Sequence, residues 1–258
     1  MNPLLMPVVA AQAVYVRMST ETLPPAGGPD SGTADVGVLA VTDAGQASAA
    51  SGASAAAGGA TGGAAGADRL RIAVVGESTA AGCGVESHED GFTGQFAREL
   101  SARAGCPVDW TVRGRHGATA RRIRYRLVPE VDSGLHVVAL LAGVNDVLTR
   151  RSPQDWGDDL EAVVGELAQR ADQVLVTGIP PFAEFPSVPK AMGRYLGERA
   201  TALDEVAQRV CAETPGVTWI GSTNVLPMGP DFFARDRFHP SAQGYSEWAR
   251  VVAGKVAL

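Results

Sequence analysis

From about residue 70 to the end of the chain, short apolar runs alternate with amphipathic stretches. Ile72–Val75, Val108–Val112, His136–Leu141, Gln173–Thr177 and Val217–Ile220 are too short for helices and rich in the residue types that favour strands. Between them, apolar residues recur at helical spacing. Phe92, Phe96 and Leu100 do so within 89–103, and Ala120, Ile123 and Leu127 within 119–128. Trp156, Leu160, Val163, Val164 and Leu167 share one face of a helix predicted over 153–170. Leu196, Ala200, Leu203, Ala207 and Val210 do the same over 194–212, and a last helix is predicted over 241–252. Strands separated by helices of this length predict an α/β protein: a three-layer α/β/α sandwich around a central, mainly parallel five-stranded sheet.

The first 67 residues follow a different pattern. Pro24-Pro25-Ala26-Gly27-Gly28-Pro29 disfavours helix and sheet, and 46–67 is almost entirely Ala, Gly, Ser and Thr, with nothing large to bury. Residues 35–41 predict one short strand between these tracts. The expected organisation is an apolar N-terminal segment plus flexible linker over 1–67 and one folded domain over 68–258.

Residues 3–16 are mostly apolar but shorter than the roughly 20 residues a membrane-spanning helix needs. No Lys or Arg precedes them, the first basic residue being Arg17, which is the wrong order for a secretion signal. They read as a short helix docked on the core or in weak contact with a membrane surface. The expected location is cytoplasmic, with or without membrane association. A secreted protein, cleaved near Ala11-Gln12-Ala13, is the alternative.

A net charge of −6 argues against nucleic acid as a partner. Cys83, Cys106 and Cys211 form no Cys-x-x-Cys pair, so free thiols are expected.

Four loops that follow strands or precede the last helix carry polar or glycine-rich signatures. They are Gly76-Glu77-Ser78-Thr79, Arg113 to Thr119 with Gly117 inside it, Gly143-Val144-Asn145-Asp146, and Asp236-Arg237-Phe238-His239. In a parallel sheet covered by helices, such loops gather at the carboxyl edge, where ligand chemistry is placed. In these blocks, over roughly 70–255, the chain resembles the SGNH/GDSL hydrolase superfamily of esterases and lipases. The resemblance implies a flavodoxin-like fold, a nucleophile at Ser78, oxyanion-hole groups at Gly117 and Asn145, an acid and base at Asp236 and His239, and no cofactor or metal. One departure is visible: the family's Gly-Asp-Ser is Gly-Glu-Ser here, with Glu77 in place of the aspartate.

The chemistry supports the same roles. A serine hydroxyl needs a base to take its proton, and an imidazole accepts and returns protons near neutrality. Asp236, three residues before His239, can hold the other ring nitrogen and stabilise the imidazolium. The oxyanion then requires donors, for which the Ser78 and Gly117 N–H groups and the Asn145 amide are candidates. The expected function is hydrolysis of small-molecule or lipid carboxylic esters through an acyl-enzyme on Ser78. Acyl transfer by the same triad and a non-catalytic binding module on the same fold are the alternatives.

The α/β-hydrolase elbow does not fit, because Ala80 stands where Gly-x-Ser-x-Gly needs glycine. A dinucleotide fold fails on glycine spacing. His116 reads as a loop residue or a substrate contact, His136 as a hydrogen-bonded structural histidine, and His88 as no metal ligand. Asp146 reads as a helix N-cap or a brace for the Asn145 loop. Arg122 and Arg126 share one helix face and Arg121 and Arg124 another, which reads as a solvated helix. Arg113 or Arg115 attracting an anionic substrate is the alternative. The 182–190 segment, with Phe182 and Phe185, and the pair Phe232 and Phe233 are candidates for an acyl pocket or for covering the core.

Overall fold

The computed structural model describes residues 12, 21–37, 69–222, 226, 228–229 and 231–258. The apolar segment at 3–16, Gln12 apart, and the small-residue tract at 46–67 lie outside them. A six-stranded sheet runs in the order β1-β3-β2-β4-β5-β6, with β1 Ser31–Ala34, β2 Leu70–Gly76, β3 Val108–Gly114, β4 Leu135–Leu141, β5 Ala171–Thr177 and β6 Val217–Ile220. All pairings are parallel except β1 with β3.

The sheet has two buried faces, and β2 shows why its strands read as continuous apolar runs. Ile72 and Val74 face one core, while Ala73 and Val75 face the other. On the first side pack α1 (Phe92–Ala104) and α6 (Ala242–Ala253), through Phe92, Phe96, Tyr245 and Trp248. On the second lie α2 (Ala120–Arg126), α4 (Pro153–Ala168) and α5 (Lys190–Glu213), through Ile123, Trp156, Leu160 and Leu203. The short helix α3 (Val144–Leu148) follows β4. No helix among the described residues is long and apolar enough to cross a membrane.

The sixth strand corrects the expected five. The short strand predicted over 35–41 is not where the edge strand forms: Val36 and Gly37 make a turn, and 38–41 lie outside the described residues. Ser31–Ala34 takes that place, with Thr33 Oγ1 donating to Asp109 Oδ1 at 2.6 Å. Residues 21–37 thus belong to the folded body, which a boundary at 68 leaves out. Leu23 is buried, and the Ala26 N–H donates to Ala81 O at 2.9 Å.

Helix ends moved for local reasons. Helix α1 starts at Phe92, not 89, because Ser87 Oγ bonds Asp90 Oδ2 at 2.8 Å and ties the preceding residues into a turn. Helix α2 stops at Arg126 and gives way to a 3₁₀ turn over Val128–Glu130, where Pro129 has no N–H to continue the ladder. Ser152 caps α4 by accepting from the Asp155 N–H at 3.0 Å.

After β3 the chain recrosses β2 to reach β4, so β2 lies at the point where the strand order reverses. Open α/β sheets form their crevice there, beyond the carboxyl ends of the strands. Gly76 ends β2 with no room for a side chain, since a Cβ would lie 2.0 Å from Leu141 O. We expect Gly76→Ala to destabilise the fold by about 1–3 kcal/mol through forced separation of β2 from β4. A denaturant midpoint equal to that of the wild type would contradict this contact.

Candidate active site

Ser78 stands just beyond β2 in a tight turn, in which the Ala81 N–H donates to Glu77 O and the Cys83 N–H to Ser78 O, both at 3.0 Å. Tyr245, buried on α6, donates its hydroxyl to Cys83 O at 2.7 Å and holds the far end of that turn. Across the crevice, residues 232–241 fold back on themselves. The Ala234 N–H donates to His239 O and the Ser241 N–H to Phe232 O, both at 2.8 Å. Asp236 Oδ1 accepts from the backbone N–H of Phe238 and of His239, each at 3.0 Å, which fixes the carboxylate within its own turn.

These two loops bring together residues 161 positions apart. His239 Nε2 lies 3.0 Å from Ser78 Oγ, and His239 Nδ1 lies 2.6 Å from Asp236 Oδ2. All three side chains are buried. Burial pushes the Asp236 carboxyl up, but the hydrogen bonds from His239 and from the two backbone N–H groups outweigh it and hold Asp236 below the usual carboxylate range. It is therefore a carboxylate at neutral pH and can accept the Nδ1 proton.

Asn145 sits in the first turn of α3, after Gly143, whose positive φ of 118° lets the chain bend sharply out of β4. Its Nδ2 donates to Glu77 Oε2 at 2.6 Å. Glu77 Oε2 also accepts from the Asn145 N–H at 3.0 Å, and Oε1 from the Val144 N–H at 3.2 Å. The departure from the family's aspartate is thus a carboxyl that reaches from the serine loop to the N-terminus of α3. Burial pushes it up to about 8 against the opposing pull of these donors. An amide nitrogen carries two hydrogens, so Asn145 keeps one for a ligand. Among the described residues no acceptor engages the N–H of Ser78 or of Gly117, which is exposed with a positive φ of 72°.

Asp146 is a cap, but of a helix other than its own. Its Oδ2 accepts from the Ala120 N–H of α2 at 2.9 Å, and burial raises its carboxyl to about 6. His136 Nδ1 accepts from the Arg71 N–H at 3.0 Å. His116 is exposed, its ring 6.2 Å from that of His239. The three cysteines are free. Ligand atoms of Cys83, His116 and His239 lie within 4.8 Å of one another, the arrangement among the described residues that could hold a metal ion. His239 already has both ring nitrogens engaged, by Ser78 and Asp236.

An apolar pocket opens from Ser78 and His239 toward the ends of β4 and β5, walled by Leu141, Phe185, Leu226, Phe232, Phe238 and Trp248. Phe185 and Phe232 line it, whereas Phe182 is fully buried in the core and Phe233 packs against the same core cluster. Leu226 and Trp248 carry no sequence signal for this role. Trp248 reads as one more apolar position of α6.

The sequence profile of the GDSL-like lipase/acylhydrolase family matches residues 74–246, well over half the chain. The chain belongs to that family. As a GDSL-like lipase/acylhydrolase, within the SGNH/GDSL hydrolase superfamily, it is a carboxylic ester hydrolase acting on small-molecule esters. Comparison with curated proteins finds no match. Solved structures share the fold. A lipolytic protein of the G-D-S-L family from Veillonella parvula DSM 2008 superposes with a TM-score of 0.56 at 18% identity, covering 72% of this chain and 97% of its own. The lipase/acylhydrolase from Enterococcus faecalis gives 0.53 at 19% identity, with 72% and 94% covered. A family 3 carbohydrate esterase from Clostridium thermocellum gives 0.53 at 17% identity, with 71% and 93% covered.

Proposed function

We propose that this GDSL-like hydrolase cleaves carboxylic esters by a Ser-His-Asp mechanism with an acyl-enzyme on Ser78. The observation that carries the reading is the continuous relay from Ser78 Oγ through His239 to Asp236, at 3.0 and 2.6 Å. Ser78 Oγ attacks the acyl carbon while its proton passes to His239 Nε2, and Asp236 stabilises the resulting imidazolium. The carbonyl oxygen becomes an oxyanion and receives hydrogen bonds from the Ser78 N–H, the Gly117 N–H and the second hydrogen of Asn145 Nδ2. Collapse breaks the bond to the alcohol oxygen, which leaves with the proton from His239. Water then gives a proton to His239 and attacks the acyl carbon, releasing the acid and restoring Ser78.

The pocket beside Ser78 favours an apolar acyl group, because its walls offer aromatic and aliphatic surface. A fluorophosphonate is expected to modify the enzyme once, at Ser78, as located by peptide mass. Hydrolysis of p-nitrophenyl esters from acetate to palmitate should then pass through an optimum chain length set by Phe232 and Trp248. Labelling of another residue, or an unlabelled enzyme that still hydrolyses esters, would defeat the mechanism.

A further inference from the structure

The side of the crevice away from the apolar pocket is basic. Arg113, Arg115, Arg122 and Arg126 line a broad groove between the end of β3 and α2, facing the carboxylates of Asp30 and Glu130. Arg113 is committed: its Nη1 pairs with Asp30 Oδ2 at 3.1 Å, and its Nε donates to Glu130 O at 3.0 Å. Among the described residues, Arg115, Arg122 and Arg126 are exposed and make no ion pair. On α2, Arg121, Arg122 and Arg126 are exposed, as the solvated-helix reading expects, and Arg124 is half-buried. Arg124 pairs with Asp159 at 3.2 Å, and Arg121 and Arg124 lie over the Tyr125 ring at 6.0 and 5.0 Å. Arg122 and Arg126, one turn apart, point their shared face into the groove beside Arg115.

The β3 end of the groove neighbours the strand that leads into Ser78. The Arg115 N–H donates to Gly76 O at 3.0 Å, two residues before Ser78, and Arg115 stands two residues before Gly117. In the strand order β3-β2-β4-β5, β2 carries Ser78 between the basic groove and the apolar pocket. The pocket lies at the ends of β4 and β5 and the groove at the end of β3, so the two flank the strand that carries Ser78.

We propose, resting on the esterase reading above, that the groove binds a phosphate group on the alcohol side of the substrate, so that the preferred esters join an apolar acyl chain to a phosphorylated alcohol. Four arginines against the carboxylates of Asp30 and Glu130 leave the groove with a net positive charge, and a phosphate monoester presents three oxygens and up to two charges to its guanidinium donors. The same groups steer such a substrate toward the crevice of a protein whose overall charge is negative.

The test compares three octanoyl esters: of glycerol, of glycerol 3-phosphate and of glyceric acid, the last a carboxylate of similar size. The enzyme is expected to favour the phosphate ester over the glycerol ester in kcat/KM by about tenfold or more at low salt, and raising the ionic strength should narrow that preference. In Arg122→Gln/Arg126→Gln the phosphate-to-neutral ratio should fall about tenfold. An equal preference for the carboxylate ester would leave a general anion site and overturn the assignment to phosphate. No preference in an active enzyme, or equal losses on charged and neutral esters in the variant, would overturn the groove as a subsite. If no ester is cleaved, the esterase reading fails, and titration with glycerol 3-phosphate judges the groove separately. Binding that the double variant loses would support it, and no binding by the wild type would overturn it.

Discussion

Ser78→Ala is expected to lower kcat on any ester the enzyme accepts by about 10⁴–10⁶, with KM changed far less. In the proposed mechanism the hydroxyl forms the acyl bond, and it is the Ser78 Oγ that lies 3.0 Å from His239 Nε2, while the neighbouring Glu77 is held by three N–H donors. His239→Ala should fall to a similar level, and the double variant hardly lower, because attack and proton removal are one event. Asp236→Asn tests a different link. Its amide oxygen can keep both bonds that Oδ1 accepts from the Phe238 and His239 N–H groups, but the amide nitrogen, a donor, then faces His239 Nδ1 in place of Oδ2. A loss of about 10³–10⁴ in kcat is expected, since the imidazole is left in the wrong tautomer. Activity of Ser78→Ala within tenfold of the wild type, measured by burst-free steady-state hydrolysis, would refute the mechanism.

How much of this was readable from the chain depends on where each residue takes its role from. Strands β2, β4 and β5 were legible because burial on both faces makes apolar runs in them, β3 because Val108, Trp110 and Val112 alternate with less buried residues, and β6 as a short run of strand-favouring residues. The gathering of Ser78, Asn145, Asp236 and His239 was legible because their blocks follow strands or precede the last helix. Strand β1 was not. Ser31-Gly32-Thr33-Ala34 is an edge strand with only Ala34 buried, so neither alternation nor hydrophobicity marks it. What selects it is Gly32, where a Cβ would lie 2.5 Å from Trp110 Cζ2. Asp146 was legible as a cap but not as the cap of α2, because that partner is set by how two loops approach in space. Likewise the arginines around α2 have helical periodicity in sequence, and only the groove that α2 and the end of β3 line together shows which face meets Arg115.

Glu77→Gln is expected to lower kcat by about 10–100-fold with little effect on KM, and to cost about 1–3 kcal/mol of stability. Both terminal atoms of Glu77 accept from N–H groups, whereas glutamine must turn one N–H₂ toward another donor, either Val144 or Asn145. If Asn145 serves the oxyanion as proposed, its amide then loses the contact with Glu77 that orients it, which weakens the transition state more than the bound ester. A second readout separates this positioning role from general damage. The folded-state value of Glu77, raised by burial to about 8, lies above its ordinary value of 4.5. Between those two pH values the native state holds a proton that the unfolded chain has lost. The stability this supplies is therefore complete below about pH 4.5 and is lost as pH rises toward 8. Glutamine does not titrate, so the variant should be less stable overall but lack that decline, and the gap to wild type should close between pH 5 and 8 as measured by urea midpoints. A variant whose stability falls with pH as steeply as the wild type, or whose kcat is unchanged, would show that Glu77 neither titrates in this range nor orients Asn145.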